Sequence, residues 1–122
     1  MEKQFIPYEQ SLQLKELGFN EKCLAWYLPE IFEKGNITEP ILGSFACNFN
    51  VYYKDRLNAP LWQQAFDWFR EKHNLHYIIY KNINIDGYDF CEITNDGIIN
   101  KNTYSYEEAR LECLKKLINI IK

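Results

Sequence analysis

Apolar residues recur along this chain with two periods, and each change of period marks a change of element. Tyr8 to Leu17, with Pro7 before it and Gly18 after it, carries the start and stop punctuation of a helix. Tyr8, Leu12 and Leu17 form its modest apolar face. Cys23 to Leu28 alternates, with Leu24, Trp26 and Leu28 on one side and Cys23, Ala25 and Tyr27 on the other. That pattern predicts a strand apolar on both faces. Ser44 to Tyr53 alternates strictly, Phe45, Cys47, Phe49, Val51 and Tyr53 against Asn48 and Asn50, and predicts a strand with one buried face. Between these two strands, 29–43 brackets short apolar pairs with prolines and glycines and reads as an irregular excursion.

Asn58 is placed as an N-cap, with Pro60 in the first turn of the helix that follows. Leu61, Trp62, Ala65, Phe66, Trp68 and Phe69 share one wide arc of that helix, and Gln63, Gln64, Asp67, Arg70, Glu71 and Asn74 fill the other. His76 to Ile85 and Tyr88 to Ile93 flank Asp86-Gly87 and predict a β-hairpin. Asn95-Asp96-Gly97 marks a second turn into a short strand at Ile98-Ile99. Ser105 and Glu108 form a capping box for a last helix from Tyr106 to about Ile121. Its core stripe is Tyr106, Ala109, Cys113, Leu117, Ile120 and Ile121, widened by Leu114 and Ile118. The expected fold is α+β: a single domain over 1–122, order α-β-β-α-β-β-α, with about three helices on one face of an antiparallel sheet.

Composition narrows the class. The 122 residues suit one domain with a core of its own, and 47% apolar content with nine Pro and Gly together excludes a disordered chain. Twenty aromatic residues exceed what one small core holds, so some tyrosines must face solvent. The net charge is −3 and no segment is strongly basic, which argues against tight sequence-independent duplex binding. Cys23, Cys47, Cys91 and Cys113 contain no CxxC spacing, so neither a zinc knuckle nor a thioredoxin-like motif is present. Cys113 reads as a small core residue. With no apolar run of membrane-spanning length and no leader-like start, the expected setting is the cytoplasm.

Chemistry is sparse. His73 and His76 are the only histidines, their spacing is not HExxH, and a zinc shell would need further ligands. Ser11, Ser44 and Ser105 lie in no GxSxG, and there is no phosphate-binding glycine loop. No catalytic residue, metal ligand or cofactor is therefore expected. Tyr52, Tyr53, Lys54 and Arg56 mix rings with cations in a manner that can stack bases and meet phosphates, with Arg70 or Lys72 in support. Arg110 points toward the apolar face of the last helix, where it either pairs with Glu107 or lines a pocket. The candidate binding residues are thus Tyr52, Tyr53, Lys54, Arg56, Arg70 and Arg110.

Three blocks carry a resemblance: FIPYEQSLQLKELGF at 5–19, APLWQQAFDWFREKHNL at 59–75 and YSYEEARLECLKKLINIIK at 104–122. Together they resemble a family of small proteins found largely in phage and prophage regions of Bacteroidota genomes. The family has no assigned activity, so no functional residue carries over. The resemblance implies a mobile-element accessory protein in a bacterial cytoplasm. The expectation is a non-enzymatic protein that binds a host protein, as an inhibitor of a host defence system in one version. The alternative is a nucleotide or single-stranded nucleic-acid binder. A membrane partner is not expected, and a homodimer stays open.

Overall fold

The computed structural model describes residues 4–30, 39–81, 88–94, 97–103 and 105–122, with backbone alone from 89 to 103. Among the described residues the helices are α1 (Tyr8–Glu16), α2 (Phe49–Tyr52), α3 (Trp62–His73) and α4 (Tyr106–Ile121), and 29–30, at the start of the expected excursion, are helical as well. The strands are β1 (Cys23–Tyr27), β2 (Ile41–Cys47), β3 (Leu57–Ala59), β4 (His76–Lys81), β5 (Tyr88–Thr94) and β6 (Gly97–Thr103). The class is α+β. The strands do not join one sheet, however. They divide into two antiparallel three-stranded sheets, ordered β2-β1-β3 and β4-β5-β6. The chain forms two compact units, Met1–Ala65 and Phe66–Lys122.

In the first unit α1 ends as its punctuation requires. Gly18 takes φ +98°, a region open to glycine at little cost. This lets Phe19 N–H reach Leu14 O at 2.9 Å and Gly18 N–H reach Lys15 O at 3.1 Å, the paired bonds of a Schellman stop. The buried face of α1 keeps Tyr8 of the expected face and departs from it beyond that. Tyr8, Gln10, Ser11 and Leu14 are buried, while Leu12 faces solvent and Leu17 is half-buried. The face follows the polar partners. Ser11 Oγ donates to Ile6 O at 3.2 Å, and Tyr27 Oη donates to the same carbonyl at 2.8 Å. Tyr8 meets Tyr27 edge to face, with centroids 5.5 Å apart. Phe5, Tyr8, Ala25, Tyr27, Leu57 and Ala59 form the core here, so β1 buries Cys23, Ala25 and Tyr27 and leaves Leu24 exposed.

Two expectations fail at the next strand. β2 starts at Ile41, inside the expected excursion, of which 31–38 lie outside the described residues. It also stops at Cys47, and the chain turns into α2 instead of continuing to Tyr53. The cause is a set of asparagine side chains that offer the backbone partners other than a strand neighbour. Asn58 is 1% exposed and its Oδ1 accepts from Phe49 N–H at 2.6 Å. Its Nδ2 donates to Asn48 Oδ1 at 2.9 Å and to Glu21 O at 3.3 Å. Asn50 Oδ1 accepts from Asn58 N–H at 2.9 Å, and Asn48 Nδ2 donates to Asn20 Oδ1. Asn58 is therefore the buried hub of a polar network in β3, not the cap of α3, which begins at Trp62.

α3 keeps its expected arc: Trp62, Ala65, Phe66, Trp68 and Phe69 are all buried, and Leu61 is half-buried. It ends where Asn74 adopts φ 54°, a conformation asparagine tolerates better than most residues. In the second unit β4 pairs β5 as a hairpin, from His76↔Ile93 to Lys81↔Tyr88. The predicted turns at Asp86-Gly87 and Asn95-Asp96 lie outside the described residues. β6 is longer than the short strand expected. Phe66 stacks on Tyr77 with centroids 4.1 Å apart, and α4 packs across all three strands.

The buried line of α4 is Ala109, Cys113, Leu114, Leu117 and Ile118, while Tyr106 and Ile120 of the expected stripe face solvent. Its cap is as expected: Ser105 Oγ accepts from Glu108 N–H at 3.1 Å. Ser105→Ala is expected to cost about 1 kcal/mol, read as a lower urea midpoint with an unchanged m-value. Among the described residues no helix is long and apolar enough to cross a membrane.

Candidate functional site

The strand break after Cys47 produces a surface that no alternating strand would produce. Strict alternation puts Phe49, Val51 and Tyr53 on one buried face. In α2 only Phe49 is buried, and Val51 and Tyr52 turn to solvent. β2 adds to the same region. Its pairing with β1 slips between Cys23↔Cys47 and Ala25↔Leu42, so that Leu24 alone stands against residues 43–46. This bulge pushes Phe45 outward. Gly43 makes the bulge fit: a Cβ there would lie 3.3 Å from Leu24 O and 3.3 Å from Phe49 Cζ.

Two clefts open on this surface. One, of about 220 Å³, is lined by Trp26, Ser44, Phe45, Phe49, Tyr53 and Arg56, among others. The other, of about 450 Å³, shares Phe45 and Tyr53 with the first and adds Lys22, Cys47, Asn48 and Tyr52. Trp26 and Phe49 pack with ring centroids 6.0 Å apart, as do Phe49 and Tyr53. The Arg56 guanidinium carbon lies 4.0 Å from the Trp26 ring centroid and 3.9 Å from that of Tyr53. Its Nε is buried, and no acceptor for it occurs among the described residues.

Of the six candidate residues, Tyr52, Tyr53 and Arg56 line these clefts. Lys54 is exposed on the loop beside them and lines neither. Arg70 and Arg110 belong to the second unit. Arg70 pairs with Asp67 one helical turn away at 2.9 Å. Arg110 lies over the Tyr106 ring at 5.6 Å, and burial lowers its pKa against the opposing influence of Tyr106 and Glu107. Sequence reasoning missed Trp26, Phe45 and Phe49 as site residues. The signal for Phe45 was available, since an aromatic residue next to Gly43-Ser44 in an edge strand is a bulge candidate.

The two histidines have different neighbours. His73 is exposed, with its ring 4.8 Å from that of Trp68, and His76 Nε2 lies 3.3 Å from Asn74 Oδ1. Among the described residues no group of three or more His, Cys, Asp or Glu could hold a metal ion. Compared with known proteins, the chain matches no family model, no curated protein and no solved structure.

Proposed function

We propose that this is a non-enzymatic binding protein of phage or prophage origin that engages a host protein through the β2–α2 surface and so inhibits a host defence component. The phage setting rests on the three sequence blocks described above. One structural observation carries the binding reading. Within eleven residues, Leu42, Phe45, Val51 and Tyr52 are 53%, 70%, 60% and 75% exposed. Phe45 lines one cleft with Leu42 and the other with Tyr52; exposed apolar side chains so grouped mark association surfaces, and aromatic residues dominate binding energy once a partner excludes water. β2 supports it as well, since among the described residues it is paired on one side only.

The second reading, a nucleotide or single-stranded nucleic-acid binder, draws on Lys22 and Arg56 lining ring-walled clefts. One experiment separates the two. The tagged protein is used to pull down ligands from a Bacteroidota lysate, and the eluate is read by mass spectrometry and by its 260/280 nm ratio. The expected result is one enriched host protein with a protein-like ratio. The Phe45→Ser, Tyr52→Ser double variant should recover it at least about tenfold less well. Its thermal stability should stay nearly unchanged, because both side chains are exposed. Full recovery by the double variant would remove this surface from the interaction. A raised ratio without a protein would favour nucleic acid, and a second copy of this chain alone would favour a homodimer.

A further inference from the structure

We infer that the 220 Å³ cleft beside Arg56 is a binding site for a small monocarboxylate on a planar, apolar body, such as an aryl carboxylate. The inference stands apart from the docking reading and would hold if no protein partner existed.

A guanidinium lying over rings gives its faces to them and keeps its five N–H donors in its own plane. Arg56 has Trp26 and Tyr53 at 4.0 and 3.9 Å. Its Nε is buried, and among the described residues it has neither an acceptor for that N–H nor a carboxylate partner. A cation held in this way is preorganised for a planar two-oxygen acceptor, which a carboxylate supplies in bidentate form at the two terminal nitrogens, the buried Nε being out of a ligand's reach.

The charge count selects the carboxylate over a phosphate. Arg56 is the one cationic side chain lining this cleft among the described residues, since Lys22 lines the neighbouring cleft and Lys54 neither. One positive charge matches one negative charge. Size and lining then set the body of the ligand. The volume falls below the roughly 300–1,000 Å³ of drug-sized sites, so the ligand is small. The walls are the rings of Trp26, Phe45, Phe49 and Tyr53, with Ser44 as an added hydroxyl. A flat apolar body would cover Phe45, which is now mostly exposed. A free aryl carboxylate and the terminal residue of a peptide offer the same chemistry.

The test uses the unaltered protein. Arg56, Arg70 and Arg110 are the only arginines, so a ¹⁵N spectrum holds three side-chain Nε–H signals and two serve as internal controls. Benzoate should move the Arg56 signal saturably and leave Arg70 and Arg110 in place. Benzamide, the neutral counterpart, should bind at least tenfold more weakly, and so should acetate at equal ionic strength. Arg56→Lys, which keeps the charge and loses the fork, should also weaken benzoate at least tenfold. N-acetylphenylalanine binding more tightly than benzoate would identify the ligand as a peptide terminus, and the reverse order as a free small molecule. The inference is overturned if no probe gives a saturating shift, if benzamide or acetate matches benzoate, or if phenyl phosphate alone binds.

Discussion

Asn58→Ala is expected to lower stability by roughly 3–5 kcal/mol. The cost comes from the groups left behind. Phe49 N–H loses a 2.6 Å acceptor, Asn48 Oδ1 a 2.9 Å donor and Glu21 O a 3.3 Å donor, at a residue 1% exposed. Each orphaned buried group costs about 1–3 kcal/mol, partly relieved where the site relaxes. Asn58→Asp separates the contributions. It keeps an acceptor for Phe49 N–H and turns the donor into an oxygen facing two other oxygens, inside a buried pocket. It should therefore destabilise at least as much as alanine at neutral pH. Urea unfolding followed by tryptophan fluorescence measures both variants. A loss below about 1 kcal/mol for alanine would mean that the network is not what ends β2. The same variants report on the site, because α2 carries Tyr52, Tyr53 follows as its C-cap, and its first N–H is bound by Asn58.

What the sequence discloses here depends on how far each cause lies from its effect. α3 and α4 are legible because a one-sided apolar arc, a cap and a stop all act within a few residues. The β4–β5 hairpin is legible for the same reason. The break at Cys47 is not, because Asn48 and Asn50 fit the polar side of an alternating strand as well as they fit a turn. What decides between the two is Asn58, together with Glu21 at a separation of 37 residues. The division into two sheets is hidden in a similar way, since strand pairing across the chain leaves no local mark. At the site, Tyr52, Tyr53 and Arg56 are visible as a local run of rings and a cation. Trp26 is brought by β1, and the alternation places Phe49 on a strand face it does not occupy. Arg70 and Arg110 look equally apt in sequence, but Asp67 and Tyr106 engage them locally.

The first unit should also lose stability steeply in alkali, between about pH 9 and 12, through two groups on the buried face of β1. Burial, with Glu21 adding to it and Gln64 opposing, pushes the Cys23 thiol from 9.0 up to about 12. Burial pushes the Tyr27 phenol from 10.0 to about 12. In both cases the folded chain holds the neutral form, so the unfolded chain releases its proton first as pH rises. The contribution is complete below pH 9 and is lost as pH rises through that window, at up to about 1.4 kcal/mol per pH unit for each group. Urea midpoints at pH 8, 9.5, 10.5 and 11.5 should fall progressively. Cys23→Ala and Tyr27→Phe should each flatten the decline, even though each lowers stability at pH 8. An unmodified slope in both variants would mean that neither buried group carries the alkaline loss. The same thiol gives a kinetic reading. At pH 8 its reactive thiolate is about a thousandfold scarcer than that of an unperturbed cysteine, since each pKa unit is a factor of ten. Cys47, which is half-buried, should therefore be alkylated by iodoacetamide well before Cys23. Equal rates under native conditions would mean that β1 opens readily and that Cys23 and Tyr27 are not held against solvent.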